Sequence, residues 1–179
     1  MKKSIYIILL LAGILIPSCS DNDPDYVIPA TPVSFRINLS TTDNHLNSPG
    51  NVGIYIPKNK MFEYNQSLNG VTIAKVYGTP RAGGANEYYG YSGVLIFNTG
   101  IQTSSSGLVA YDLCCSYEQQ VETRVVPTND YRAKCPKCNS VFNLYEDGKA
   151  MSGPATTKGK KLQLYRVFTS ANNEFYIRN

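Results

Sequence analysis

The sequence predicts an all-β protein, and three observations carry that expectation. Short segments of alternating apolar and polar residues recur along the chain, the signature of half-buried strands. Glycine contributes 14 residues and proline 10, often enough to supply turns between short strands and to interrupt a long helix. No segment keeps a helical period over three turns.

Taken in order, Val33, Phe35, Ile37 and Leu39 share one face of a first strand. His45 follows in the polar stretch from Ser40 to Gly50 and reads as a surface-loop residue. Val52 to Ile56 forms a second strand stopped by Pro57, and Val71 to Tyr77 a third that ends at Gly78-Thr79-Pro80. In the glycine- and tyrosine-rich stretch from Arg81 to Gly93, Tyr88, Tyr89 and Tyr91 read as strand-edge packing. A stacking platform for sugars or bases is disfavoured, because the chain has no Trp and no basic residues interleave these tyrosines. Val94 to Phe97 is apolar throughout, as a strand covered on both faces would be. A serine-rich turn at Gln102 to Gly107 leads to Leu108–Tyr111 and into Asp112. Val121 to Val126, Arg132 to Lys134 and Val141 to Tyr145 are expected as strands, with Asp147-Gly148 as a turn. Leu162 to Phe168 and Glu174 to Ile177 close the chain as a hairpin, giving about ten strands in all.

The first eighteen residues are set apart from the fold. Lys2 and Lys3 precede an apolar run from Ile5 to Ile16 that is short for a membrane span, and Ser18-Cys19 supplies a small-residue cleavage site. Ile16-Pro17-Ser18-Cys19 resembles a bacterial lipobox, which implies a signal peptide over 1–18 and lipid attachment at Cys19. Residues 19–31 begin with an acidic, unpatterned segment and read as a flexible tether. That segment is similar to the acidic signal of Bacteroidetes surface lipoproteins. The expected address is the cell envelope, with the domain of residues 32–179 anchored to the outer membrane on its periplasmic or outer side. Loss of Lys2 and Lys3 brings the 17 basic residues close to the 13 acidic ones, so no nucleic-acid partner is expected.

Chemistry concentrates in two cysteine turns. Cys135-Pro136-Lys137-Cys138 has the spacing with which one tight turn points two sulfurs to one side, and thiolates so arranged serve zinc or iron. Cys114 and Cys115 lie some twenty residues upstream. In an oxidising compartment the same four residues can form disulfides instead. A vicinal bridge is strained, so Cys114 and Cys115 would then each pair with one of Cys135 and Cys138.

From about Val94 onward the chain resembles a Rieske domain. Cys115-Ser116-Tyr117 stands where that family has Cys-x-His, and Cys135-Pro136-Lys137-Cys138 where it has Cys-x2-His. Asn139-Ser140-Val141-Phe142, Gly148 and Gly153-Pro154-Ala155 match the framework that follows. The resemblance implies an antiparallel β-sandwich carrying a small two-turn cysteine subdomain at about residues 112–155. Both histidine positions differ here, Tyr117 and Cys138 replacing them, and His45 lies in neither turn. The expected ligands are Cys115, Cys135 and Cys138, with Cys114 or the Tyr117 phenolate as a fourth. The expected cofactor is an iron–sulfur cluster of unusual ligation, or zinc, or none. The function expected from this set is a membrane-anchored metal or electron-transfer protein with an unknown protein or redox partner. The alternative is a cluster-free, disulfide-stabilised β-module for surface binding. An enzyme is not expected: one histidine builds no Ser-His-Asp set, and the length leaves no room for a separate catalytic iron domain. Glu118 and the Glu146-Asp147 pair read as solvated carboxylates.

Overall fold

The computed structural model describes residues 28–56, 67–68, 71–72, 76–77, 87–101, 105 and 107–179. The expected signal peptide, Cys19 and the tether as far as residue 27 lie outside the described residues, as do 57–66 and 78–86. Among the described residues no helix is long and apolar enough to cross a membrane.

The fold is all-β. Its first strands are β1 (Val33–Asn38), β2 (Val52–Tyr55), β3 (Ser67–Leu68), β4 (Val71–Thr72) and β5 (Val76–Tyr77). They are followed by β6 (Tyr88–Tyr89), β7 (Val94–Asn98), β8 (Leu108–Asp112), β9 (Val126–Pro127) and β10 (Arg132–Lys134). The last are β11 (Val141–Asn143), β12 (Lys149–Ser152), β13 (Leu164–Thr169) and β14 (Glu174–Arg178). One eight-stranded sheet has the order β5-β2-β7-β8-β13-β14-β1-β6, and a four-stranded sheet the order β12-β11-β10-β9. The chain passes from edge strand β6 to β7, deep in that order, in the four residues 90–93. So short a link forces the large sheet to curl until it is nearly closed.

Period-two alternation then sorts the side chains. In β7, Val94 and Ile96 turn into the curled sheet with Phe35, Ile37, Leu108, Ala110, Phe175 and Ile177. Leu95 and Phe97 turn the other way, toward the small sheet, with Tyr111, Leu113 and Phe142. All five residues of β7 are buried, Val94 to Phe97 as their unbroken apolar run predicts and Asn98 with them. Across the small sheet Ala133, Phe142 and Ala150 stand opposite one another, so a small residue flanks the large ring on either side. Tyr111 joins the two layers: its hydroxyl donates to the Leu144 carbonyl at 2.9 Å, fully inside the protein.

Several local expectations change. Val121 and Glu122 lie in a turn, and the strand there is β9, displaced to Val126–Pro127. Proline is tolerated in β9 because this strand is the edge of its sheet. The Gly153-Pro154-Ala155 segment opens a single helical turn, Pro154–Thr157, since proline suits a first helical position. β2 and β5 pair in parallel, an exception to the antiparallel arrangement. His45 sits in a 3-10 turn, Asn44–Asn47, half-buried instead of on an open surface loop. Asp147-Gly148 is a turn, with φ of 48° and 69°, the left-handed pair that asparagine, aspartate and glycine tolerate. Tyr89 packs its ring 4.8 Å from that of Phe35, while Tyr88 is exposed.

Replacing Tyr111 by Phe strands the Leu144 carbonyl in the interior at almost unchanged volume. The expected cost is about 1–3 kcal/mol in urea unfolding, with little change in the denaturant slope.

Candidate metal centre

Both cysteine turns are hairpin tips, and each first cysteine extends an inward-facing row. Residues 109, 111, 113 and 115 alternate along β8 and beyond it, so Cys115 shares the face of Tyr111 and Leu113. Cys135 follows Ala133 on the inner face of β10. Both residues are fully buried.

Each turn is built the same way. The Gln119 N–H donates to the Cys115 carbonyl at 2.8 Å, and the Asn139 N–H to the Cys135 carbonyl at 3.1 Å. Gln119 and Asn139 both adopt the left-handed conformation, φ 53° and 58°, which turns the chain back. Backbone N–H groups of Tyr117 and Glu118 face the Cys115 sulfur, and those of Lys137 and Cys138 face the Cys135 sulfur. Donors aimed at sulfur are what a thiolate ligand requires.

The sulfurs of Cys115, Cys135 and Cys138 all lie within 4.8 Å of one another, and those of Cys115 and Cys138 are 3.7 Å apart. Thiolates bound at about 2.3 Å to one tetrahedral ion stand about 3.8 Å apart. The Cys115–Cys138 spacing therefore suits a single ion. Cys115, Cys135, Cys138 and Cys114 are all free thiols. The neighbouring Cys115 thiol holds Cys135 below the usual thiol range, and Cys135 together with burial pushes Cys115 above it.

Of the sequence-predicted ligands, Cys114 and Tyr117 fall outside this group. Cys114, one residue out of phase with Cys115, sends its thiol toward the carbonyls of Cys115 and Gln120, at 3.6 and 3.5 Å. Burial pushes that thiol up to about 12. Tyr117 is 40% exposed at the tip of its turn. Cys19 lies outside the described residues.

Supporting contacts come from residues whose role the sequence did not announce. The Cys138 thiol donates to Ser140 Oγ at 3.2 Å, and that oxygen also accepts the Ala155 N–H at 3.0 Å. Gly153 makes this approach possible: a Cβ there would meet Ser140 Cα at 2.7 Å, and its φ is +79°. Behind the first turn, the buried Asp112 carboxylate accepts N–H groups of Tyr91, Ser92 and Cys114 and the Tyr165 hydroxyl. Burial raises the pKa of Asp112 while these hydrogen bonds oppose the rise. Across the mouth, Lys137 Nζ lies 2.7 Å from Glu118 Oε2 and 2.9 Å from Gln120 Oε1, linking one tip to the other.

No family model matches the chain, and no curated protein or solved structure matches it either. The chemistry of the centre therefore rests on its own geometry.

Gly153→Ala should cost about 1–3 kcal/mol in thermal or urea unfolding, because Cβ overlap with the Ser140 backbone adds to an unfavourable φ. Mass-resolved alkylation of the metal-free protein should find Cys138, the one half-buried thiol among the described residues, modified before Cys114. Cys114 should stay protected until the protein unfolds.

Proposed function

We propose that this chain is a lipid-anchored cell-envelope protein in which Cys115, Cys135 and Cys138 hold one metal ion, zinc in the first instance. The ion has a structural role, tying two hairpin tips of a β-domain that presents its surface to a partner. The observation that carries this reading is the 3.7 Å separation within a three-sulfur group, close to a tetrahedral edge. A two-iron cluster divides its ligands between two metals and so spreads them more widely than one ion does. The tight group favours a mononuclear site over the electron-transfer cluster that the Rieske resemblance implies. The resemblance remains as a proposal of descent: the turns and the Gly-Pro-Ala segment fit it, and the replacement of both histidines accounts for a different metal.

Attachment to the outer membrane through Cys19 rests on the lipobox-like sequence alone. The three thiols do not favour catalysis. Glu118, the carboxylate of the first turn, is held in an ion pair with Lys137. The disulfide alternative finds less support, because Cys114, needed for two bridges, turns its sulfur toward backbone carbonyls instead.

The test is elemental analysis of the soluble domain, residues 20–179, purified under reducing conditions, with an absorbance spectrum and a thiol count. One zinc per chain and no visible absorption are expected. Iron with acid-labile sulfide would make it a redox carrier, and a metal-free protein with two disulfides would end the metal reading. Cys135→Ser should weaken zinc binding by at least about 100-fold, whereas Cys114→Ser should leave it within about threefold. Binding must displace thiol protons, so affinity should fall as pH falls, by roughly 100-fold per unit if two protons leave. Titration with a zinc-competing chelator between neutral and mildly acidic pH measures that slope.

A further inference from the structure

Three sulfurs leave a structural zinc site one ligand short, since such sites are four-coordinate and closed. The sequence offers Cys114 and Tyr117, and neither joins the group. The likeness of the two turns over their last three positions points elsewhere.

With Cys115 set on Cys135, the two turns correspond at positions three to five, while position two differs, Ser116 being buried and Pro136 exposed. Position five of each, Gln119 and Asn139, is left-handed and returns its N–H to the first cysteine's carbonyl. Positions three and four of each turn N–H groups toward the first sulfur. Exposure follows the same course over positions three to five: Tyr117 and Lys137 are exposed, Glu118 and Cys138 half-buried, Gln119 and Asn139 exposed. Position four of the second turn is the ligand Cys138. Position four of the first is Glu118, whose side chain is only 13% exposed.

We infer that Glu118 supplies the fourth ligand, so that the centre is a three-thiolate, one-carboxylate site built from two matched turns, Cys-x-x-Glu and Cys-x-x-Cys. This rests on the single-ion reading above. Carboxylate oxygen is an accepted zinc donor. Its carboxylate stands outside the three-sulfur group, with Oε2 on Lys137 at 2.7 Å, so a side-chain rotation brings Oε1 to the ion. With Oε1 turned to the ion, Lys137 keeps Oε2 and orients the ligand, as hydrogen-bonded partners of metal-bound carboxylates do. The balance is simple: each thiol that binds gives its proton to solvent.

The pairing of Glu118 with Lys137 has a plainer explanation, an ion pair that closes the mouth, and the test separates the two. Zinc and cobalt(II) affinities are measured by chelator competition for the wild type, E118Q, E118C and K137M, with the cobalt absorption spectrum recorded for each. Circular dichroism and thermal unfolding of the metal-free proteins establish that each variant is folded. E118Q should lose at least about tenfold in zinc affinity and shift the cobalt ligand-field bands. E118C should restore tight binding and strengthen the sulfur-to-cobalt charge-transfer band, because a fourth thiolate then occupies the same position. K137M should weaken binding less than E118Q and leave the ligand-field bands in place. If the wild type binds both metals and E118Q matches it in affinity and spectrum, Glu118 is not a ligand while the metal site stands. If K137M reproduces the loss seen in E118Q with no spectral change in either, the ion pair alone is at work and the inference is overturned. If the wild type binds neither metal, the single-ion reading itself fails, and this inference falls with it.

Discussion

Everything at the centre depends on one short segment, residues 123–127, which is hydrogen-bonded to two different hairpins. Its first half pairs with the extension of β8: the Cys115 N–H donates to the Thr123 carbonyl at 2.9 Å and the Val125 N–H to the Leu113 carbonyl at 2.7 Å. Its second half is β9, paired with β10 through Val126 and Pro127. One stretch of backbone thus lays the two cysteine tips side by side. Neighbouring strands sit about 4.8 Å apart, which sets the scale at which sulfurs from adjacent strands can share an ion.

That arrangement also explains why two layers are needed. The curled sheet has a core of its own, with Phe35, Ile37, Ile96 and Ile177 inside it. The small sheet buries its inner face only by lying on the outer side of β7 and β8, against Leu95, Phe97 and Tyr111. Four strands with so few residues make a weak unit alone. The two cysteine turns are therefore positioned by the larger sheet. A site held ready in this way loses less to ordering on binding than one whose fold is made by the metal.

The fold class was legible in the sequence because alternation along Val33–Leu39 and the apolar run Val94–Phe97 report burial directly. The same parity separates Cys115 from Cys114: adjacent residues in extended chain face opposite sides, and β8 carries that alternation into the turn. What escaped was β9. Val121–Val126 has the composition of a strand, yet the chain is still turning at Val121 and Glu122, and only the partner strand β10 decides where pairing begins. The burial of Glu118 was likewise not legible: a carboxylate next to an exposed tyrosine looks solvated in sequence, yet its side chain is only 13% exposed and paired with Lys137 of the other turn.

Charge gives a further reason for the turns to differ at that position. A divalent ion with three thiolates carries a net charge of about −1, and a fourth anionic ligand makes it about −2. Such a charge beside two fully buried cysteines is costly unless cations or N–H donors face it. Lys137 is the cation in contact, reaching from the second turn to the first, with its side chain half in solvent. A fourth cysteine would leave that ammonium without an oxygen partner at its own end of the site. A carboxylate can serve the ion through one oxygen and the lysine through the other, so the glutamate and the lysine make sense as a pair. On the proposed ligation, the asymmetry between Cys-x-x-Glu and Cys-x-x-Cys would set the polarity of the centre: sulfur inward, and an ion-paired carboxylate where the site meets water.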